Sequence, residues 1–324
     1  MRVYGNMDRR SFLGGLGGLV AVSALPGCRT LAEPDVFAAR GKWERLSIGM
    51  VKIDAGASAP FSILHISDTH LAAAYDRESE KKREISRIRT RTFGGHQEDA
   101  LRDSLDWARK SVDYVLHTGD LIDFQSEANF DLVRRHFGVT MFGAVGNHEF
   151  SPEMWLTDPP ATPTEAWKDR SRARLATVYP FDISLASTVV NGVNFITLDD
   201  VYGTVTEAQV ARFAKEVEKG LPIVLCMHVP FYTDGLWLKT RRYWVGAEKR
   251  FRDAALPKPS GDRERQLNDR TTAEFIRYLK SERLLKGLLV GHEHITMQER
   301  FSETATQFVV GGNFMFHGQE VLFT

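Results

Sequence analysis

The sequence contains few cysteines, no excess of either charge and no long apolar run. Its two cysteines, Cys28 and Cys226, are too few for a disulfide framework. Lysine and arginine together number 42, and so do aspartate and glutamate, so bulk charge indicates neither nucleic acid nor an anionic membrane as a partner. After residue 28 the chain has no internal repeat and no low-complexity tract. The function must therefore be sought in local sites.

Residues 1–28 are predicted to be a targeting segment that does not belong to the folded domain. The pair Arg9-Arg10 precedes a glycine-rich, weakly apolar segment from Gly14 to Leu25, which is shorter than the roughly 20 residues of a membrane span. This stretch resembles a bacterial twin-arginine export signal; a disordered N-terminus is the alternative. Leu25-Pro26-Gly27-Cys28 resembles a lipobox, although proline is unusual there and ordinary cleavage nearby is the alternative. We expect an exported protein, either periplasmic or anchored through Cys28 to the outer side of the cytoplasmic membrane.

Five apolar runs along the chain each lead directly to Asp, Asn or His. They are Ile63–Ser67 before Asp68-Thr69-His70, Val115–Thr118 before Gly119-Asp120, Thr140–Val145 before Gly146-Asn147, Ile223–Met227 before His228, and Gly287–Val290 before Gly291-His292-Glu293-His294. Buried parallel strands deliver such tips to one carboxyl edge of a sheet. Carboxylate, imidazole and amide groups are the ligands of hard and borderline divalent metals. We expect these tips to converge on a two-metal site, with Asp120 between the metals.

The segments between these runs predict covering helices and connecting loops. Helices are expected over residues 98–112, 127–137, 206–220 and 271–285, closing strands over 307–323, and a strand pair on either side of Asn191-Gly192, which is typical of type I′ hairpins. Four prolines predict an irregular loop over residues 151–178, and Pro257, Pro259 and Gly261 predict another loop. The interspersed charges of residues 75–97 favour a solvated helix with ion pairs, and a lid that attracts an anionic substrate is the alternative.

The predicted organisation is the signal, then a linker with an irregular edge strand at residues 29–60, then one domain at residues 61–324. Within that domain, residues from about 231 to 270 form a cap-like insertion rich in aromatic and basic residues. Such side chains stack on a base or sugar and clamp a phosphate. The candidates for binding substrate in this way are Arg241, Arg242, Tyr243 and Trp244. A peripheral cap with its own small core is the alternative.

The ordered set of motifs is similar to that of a known family. The motifs are Asp68-Thr69-His70, Gly119-Asp120-Leu121-Ile122-Asp123, Gly146-Asn147-His148-Glu149, Met227-His228 and Gly291-His292-Glu293-His294. Together they resemble the signature of the calcineurin-like metallophosphoesterase superfamily. The resemblance implies an α/β fold, a four-layer αββα sandwich of two mixed β-sheets flanked by helices.

The resemblance also implies a role for each site residue. It assigns Asp68, His70 and His294 to the first metal, Asn147, His228 and His292 to the second, and Asp120 to a bridge between them. His148 resembles the family's catalytic histidine, which stabilises the transition state or protonates the leaving oxygen; a purely structural histidine is the alternative. Asp123 is expected to orient His148 or a metal ligand without binding a metal itself.

Two features leave the identity of the metals open. Glu149 ends its motif as in purple acid phosphatases, but those enzymes carry tyrosine at the position of Asp123 and lack the histidine at the position of His70. An Fe(III)–tyrosinate site is therefore not expected. Two divalent or trivalent ions of Fe, Mn or Zn are the expected cofactors.

The resulting hypothesis is an exported phosphoesterase that hydrolyses its substrate with a water or hydroxide bridging two metal ions. The aromatic and basic insertion favours a phosphodiester slightly. The alternatives are a phosphomonoesterase and a metal-bearing scaffold without turnover. A nuclease is less favoured, because it would need an extended basic groove and the chain has no excess of basic residues. The expected partner is a small-molecule phosphate ester and no specific nucleic acid, with the protein a monomer or small homo-oligomer.

Overall fold

A computed structural model of the protein describes residues 36–38, 44–138, 141–151, 165–248 and 259–324. Side chains are described for residues 44–138, 141–151, 168–243 and 263–324. The predicted export signal at residues 1–28, with Cys28, lies outside the described residues. Within them, no helix combines the length and the apolar character needed to cross a membrane.

Strands and helices alternate along most of the described chain. The strands are β1 (Val36–Ala38), β2 (Ser47–Ile53), β3 (Phe61–Ile66), β4 (Tyr114–Thr118), β5 (Met141–Ala144), β6 (Leu185–Val190), β7 (Val193–Leu198), β8 (Ile223–Met227), β9 (Leu285–Val290), β10 (Met297–Arg300), β11 (Thr306–Val309) and β12 (His317–Phe323). The helices are α1 (Glu80–Thr92), α2 (Gln97–Ser111), α3 (Glu127–His136), α4 (Glu165–Leu175), α5 (Glu207–Val217), α6 (Asp234–Glu248), α7 (Pro259–Asn268) and α8 (Arg270–Ser281). A short 3-10 turn follows at Asn313–Met315.

The strands form two mixed, six-stranded sheets. The first has the order β1-β2-β12-β3-β4-β5 and the second the order β10-β11-β9-β8-β7-β6. In the first sheet β3, β4 and β5 are parallel neighbours, and in the second β7, β8 and β9 are. Polar residues at the carboxyl ends of these strands therefore lie at one edge of each sheet.

Side-chain alternation divides the interior into layers. Along β8, Val224 and Cys226 belong to the apolar cluster between the sheets, whereas Leu225 and Met227 belong to the cluster on the outer face of the second sheet. That outer cluster also includes residues of α5 and α8, and residues of α2 and α3 contribute to the cluster on the outer face of the first sheet. Two sheets between two helical layers confirm the predicted αββα sandwich. Burial between the sheets raises the pKa of the Cys226 thiol, as expected of a small apolar core residue.

Local chemistry fixes several element ends. Thr206 begins α5 with a capping box, in which its side chain accepts from the backbone of Gln209 and the Gln209 side chain accepts in return. Asn191 and Gly192 join β6 to β7 with φ angles of 46° and 82°, which confirms the type I′ prediction.

Other predictions about local structure were wrong. Residues 165–175, placed in an irregular loop, form α4, because the prolines that predicted the loop all precede this segment. Pro259 begins α7, since proline is compatible with the first helical turn. The predicted edge strand became β2, which lies inside the sheet between β1 and β12. The last helix ends at Ser281 and not at Leu285, which already belongs to β9.

Candidate metal centre

The seven predicted metal ligands lie together at the carboxyl ends of strands from both sheets. They follow β3 (Asp68, His70), β4 (Asp120), β5 (Asn147), β8 (His228) and β9 (His292, His294). Two hydrogen bonds join the sheets at this point. The Nδ1–H group of His228 donates to the carbonyl oxygen of Thr118 at 2.8 Å, and the backbone N–H of His292 donates to Asp68 Oδ2 at 2.9 Å.

One half of the centre gathers atoms of Asp68, His70 and His294. Nε2 of His294 lies 3.1 Å from Nε2 of His70 and 3.3 Å from Oδ1 of Asp68. Nε2 of His70 lies 3.9 Å both from Asp68 Oδ1 and from Asp120 Oδ2. The three side chains predicted to hold the first metal are therefore clustered, with Asp120 at their inner side.

The other half gathers atoms of Asn147, His228 and His292. Nε2 of His228 lies 3.2 Å from Asn147 Oδ1, 3.2 Å from His292 Nδ1 and 3.2 Å from Asp120 Oδ2. The Asp120 carboxylate thus lies between both groups, which is the position that a bridging ligand needs.

The chemistry of these atoms fits metal binding. The Nδ1 atoms of His70 and His228 face acceptors, Asp123 and the Thr118 carbonyl, so each carries a proton at Nδ1 and turns Nε2 to the centre. Oδ1 of Asp68 is buried there without a hydrogen-bond partner. Although burial lowers it, the carboxylate of Asp120 raises the pKa of His228 to about 10, so without a metal a proton occupies Nε2 where a bound ion would replace it. Lone pairs that converge in this way call for a cation.

The backbone is strained at the same residues. Among the described residues, seven other than glycine have a positive φ angle, and five of these are predicted metal ligands. The five are Asp68 (55°), His70 (53°), Asp120 (55°), His292 (68°) and His294 (53°). Strained conformations of this kind concentrate at functional sites, where the surrounding structure holds them.

A comparison with protein-family models identifies the family. The model described as calcineurin-like phosphoesterase matches residues 61–296, a stretch that contains every residue of this centre. The chain belongs to the calcineurin-like phosphoesterase family. The comparison with curated proteins finds no match.

Solved structures similar to this calcineurin-like phosphoesterase are distant in sequence. A dimetal phosphatase from Danio rerio is 16% identical, with a TM-score of 0.46 and coverage of 79% of this chain and 88% of that chain. A purple acid phosphatase from yellow lupin seeds is 14% identical, with a TM-score of 0.42 and coverage of 82% of this chain and 47% of that chain. This chain therefore spans about half the length of the lupin protein.

His148, the predicted catalytic residue of the phosphoesterase, lies at the edge of the centre. Its Nδ1 atom is 3.0 Å from both the carbonyl oxygen and Oδ1 of Asp123, and its Nε2 atom is 3.9 Å from Asp120 Oδ2. Burial lowers the pKa of His148, but the carboxylates of Asp120 and Asp123 outweigh that effect and raise it. With Nδ1–H directed at Asp123, Nε2 is the atom that faces the centre.

Asp123 contacts both a predicted ligand and the predicted catalytic residue. Its Oδ1 atom lies 3.1 Å from His70 Nδ1 and 3.0 Å from His148 Nδ1. His70, Asp123 and His148 could be taken for a third metal cluster. We do not assign one, because both imidazoles direct their Nδ1–H groups at Asp123 and a guanidinium already neutralises that carboxylate.

The guanidinium belongs to Arg89 in α1, a residue that no sequence motif singled out. Its Nε and Nη2 atoms donate to Oδ2 and Oδ1 of Asp123 at 2.7 and 3.0 Å. Phe93, at the end of the same helix, stacks on the His70 ring at a centroid distance of 4.2 Å. The charged segment that favoured a solvated helix thus also supports the centre. Arg89 could not be singled out from the sequence, because residues 75–97 contain many other charged residues.

Glu149 supports the loop that carries Asp120. Its fully buried carboxylate accepts hydrogen bonds from five donors. These are the backbone N–H groups of Asp120 (3.0 Å), Leu121 (2.8 Å), Ile122 (3.2 Å) and Gly146 (2.7 Å) and the hydroxyl of Tyr179 (3.1 Å). The sequence shows Glu149 at the end of its motif. It does not show the donors, because most of them lie on other segments of the chain.

The predicted substrate-binding residues are less closely placed. Arg241 and Arg242 are exposed on α6, and Tyr243 packs against the core on the outer face of the second sheet. The side chain of Trp244 lies outside the described residues. Within the described side chains, the insertion approaches the centre instead through Tyr232, Trp237 and Arg263, which line a pocket together with Glu293.

Two glycines give the loops room to approach the centre. Gly119 has a φ angle of 91°, and a Cβ atom there would lie 2.6 Å from His228 Nδ1. Gly146 has no such angle, but a Cβ atom on it would overlap the carboxylate of Asp120. Glycine is needed at Gly146 for space alone.

Replacing Gly146 with alanine should displace Asp120 and lower the metal content from about two ions to about one or fewer per chain. Metal analysis of the purified protein would measure this. Gly138→Ala is the matched control, because a Cβ atom at Gly138 meets nothing within 4 Å. Full metal content in Gly146→Ala would contradict the placement of Asp120 between the metals.

Replacing Arg89 with lysine should lower kcat about 10- to 100-fold, because lysine cannot make the paired hydrogen bonds that orient Asp123 and, through it, His148. The KM value should change much less, since Arg89 contacts Asp123. The matched control is Arg87→Lys, because the Arg87 side chain is 58% exposed and pairs with Glu80 on the same helix. Equal losses in the two variants would show that the effect belongs to α1 in general.

Proposed function

We propose that the protein is an exported, metal-dependent hydrolase of phosphate esters with a modest preference for phosphodiesters. One observation carries the proposal. Ligand atoms of six side chains from two sheets converge around the carboxylate of a seventh, Asp120, with His148 beside them. Family membership supports hydrolysis of a phosphate ester at such a centre.

The residues divide the work between holding metals and handling the substrate. Asp68, His70 and His294 would hold one ion and Asn147, His228 and His292 the other, with Asp120 shared. Two ions so held, of Fe, Mn or Zn, would supply a nucleophile from water near neutral pH and would neutralise charge on the phosphoryl oxygens. The Nδ1–H groups of His70 and His228 are held by Asp123 and the Thr118 carbonyl, so Nε2 of each faces the centre. His70 is neutral there, whereas His228 would lose its Nε2 proton when an ion binds.

His148 acts on the substrate through Nε2. Its Nδ1–H group is fixed on Asp123, so the ring cannot turn without losing that contact. The raised pKa of His148 favours the protonated form, which places a donor next to the phosphoryl group. Nε2–H therefore stabilises charge on the phosphoryl oxygens and gives its proton to the leaving alcohol.

The preference for a diester is supported by the position of the insertion. Pro230 and Glu293 each lie within two residues of predicted ligands, and both line a pocket with residues of α6 and α7. A phosphodiester has a second alcohol group that needs such a neighbouring surface, whereas a monoester does not.

Export is supported by the sequence of residues 1–28. The pair Arg9-Arg10 followed by a weakly apolar segment favours the twin-arginine route, and Cys28 offers an anchor on the outer side of the cytoplasmic membrane. The twin-arginine route transports folded proteins, which suits a centre assembled from both sheets.

Bis-p-nitrophenyl phosphate should be hydrolysed faster than p-nitrophenyl phosphate by protein stripped of metal and reloaded with Mn²⁺, Fe²⁺ or Zn²⁺. His148→Ala should lower kcat for the diester by about 10²- to 10⁴-fold with metal retained. Asp120→Asn should lose both metal and turnover, because the shared ligand loses its charge. Steady-state kinetics with parallel metal analysis would measure these changes.

Controls are available at exposed positions of the same residue types, His96→Ala and Asp131→Asn. Faster cleavage of the monoester would overturn the diester preference and favour a phosphomonoesterase. If two metals bind and neither compound is hydrolysed, the scaffold without turnover becomes the better hypothesis.

Changing Arg9 and Arg10 together to lysine should retain the full-length protein in the cytoplasmic fraction of the producing bacterium. Fractionation followed by immunoblotting would measure this, with Arg2→Lys as the control. Cys28→Ser should move the wild-type membrane-bound fraction into the soluble periplasm. A protein that is exported equally well with both lysines would refute the twin-arginine proposal.

A further inference from the structure

A short turn late in the chain packs against the first half of the metal centre. It is the 3-10 turn Asn313–Met315 between β11 and β12, which we name the 313 turn, and it follows the last of the ligand motifs. The backbone N–H of Asn313 donates to the carbonyl oxygen of Ser67 at 2.8 Å, and that of Phe314 donates to the carbonyl oxygen of Asp68 at 3.2 Å. The turn is therefore joined directly to the loop after β3.

The Asn313 side chain holds the residue that stands between two predicted ligands. It is fully buried, and its Oδ1 atom accepts a hydrogen bond from the hydroxyl of Thr69 at 3.0 Å. Because this hydroxyl uses its own proton on Asn313, it accepts from the Nε2–H group of His117 at 2.9 Å. The amide group of Asn313 donates in turn to the hydroxyl of Ser104 in α2 at 2.9 Å. This chain of hydrogen bonds fixes Thr69, and with it the ligand on either side, between β4 and α2.

The Phe314 ring packs against both histidines of the first half. Its centroid lies 5.1 Å from that of His294 and 5.9 Å from that of His70, and the ring planes cross at 75° and 70°. Phe93, which stacks on the His70 ring, lies 4.8 Å from Phe314 in a further crossed contact. Aromatic contacts of this kind favour particular orientations of the rings. The two phenylalanines therefore restrict the directions in which these imidazoles can point.

Both side chains of the turn act on the same three ligands. Asn313 holds the loop that carries Asp68 and His70, and Phe314 packs on the rings of His70 and His294. All three ligands have left-handed backbone conformations, which persist only where the surrounding structure holds them. Residues that orient ligands without binding the metal typically change metal affinity about 10- to 100-fold when they are replaced.

We infer that the 313 turn is a positioning element for the first metal and sets the affinity of that site independently of the second. The second half has supports of its own. Glu149 holds the loop that carries Asn147, and the carbonyl oxygen of Thr118 holds His228. Loss of the turn's contacts should therefore leave the second site in place. The inference rests on the two-metal centre of the proposed function.

Two ligand variants isolate the two sites for the test. Asn147→Ala should leave the first metal bound and His294→Ala the second, because each removes one ligand from one half. Calorimetric titration of the metal-free protein with Zn²⁺ measures the site that remains. Phe314→Ala should raise the Kd about 10- to 100-fold when added to Asn147→Ala. Added to His294→Ala, it should change the Kd less than about twofold.

Conservative variants and a control distinguish positioning from folding. Phe314→Tyr keeps the ring and should retain the wild-type affinity of the first site. Thr69→Val removes the hydroxyl at nearly constant shape and should weaken the first site, whereas Thr69→Ser should restore it. The matched control is Phe316→Ala, since this ring directly follows the turn but packs on Arg45 and His96. Both sites should be unchanged in the control.

Each contrary outcome is informative. Equal losses at the two sites would show that the turn stabilises the fold in general, and an unchanged first site in Phe314→Ala would show that the ring has no influence on the metal. Either result overturns the inference, while the proposed function stands if the wild type binds two ions and hydrolyses bis-p-nitrophenyl phosphate. A wild type that binds no metal would refute the proposed function and the inference together.

Discussion

The hydrogen bonds of the Glu149 carboxylate determine the shape of the centre. Three backbone N–H groups from the loop after β4 and one from the loop after β5 point at this single side chain. Because each of these bonds has a direction, the two loops are fixed relative to one another. Asp120 projects from the first loop and Asn147 from the second, so their side chains are positioned by a residue that is not itself a predicted ligand. The arrangement of the remaining ligands depends on this frame.

The ligands of the second sheet join that frame through hydrogen bonds between the sheets. His228 is held by the carbonyl oxygen of Thr118, at the end of β4, and the backbone of His292 is held by Asp68. The carboxylate of Asp68 therefore both faces the centre and fastens the loop after β9. Asp123 has a similar double function, because it orients His70 and His148 and is itself oriented by Arg89. Structural support and chemistry share the same few atoms.

The sequence predicted the parts of the fold that depend on local pattern. Apolar runs that end in Asp, Asn or His indicate buried strands with functional residues at their ends. Both the runs and the order of the motifs along the chain can be read directly from the sequence. The contributions of Arg89 and Phe93 could not be predicted, because their partners Asp123 and His70 lie on other segments of the chain, and Arg89 is one of several arginines in its helix. The position of β2 inside its sheet depends on β12, which pairs with it from far away in sequence, and on the short strand β1, which precedes it. The loop predicted around Pro259 was wrong because proline is common both in loops and in the first turn of a helix.

Five predicted ligands have left-handed backbone conformations, which disfavour L-residues by about 1–2 kcal/mol each. Such conformations persist because the surrounding fold holds them, so the directions of the ligands are established when the chain folds. A metal ion then occupies a template that it did not shape. Selection among the proposed Fe, Mn and Zn ions would then depend on this fixed geometry and on the supply of ions where folding takes place. For a protein exported in the folded state, as proposed, that place is the cytoplasm, and the metal it carries outside the cell would record the metal content inside.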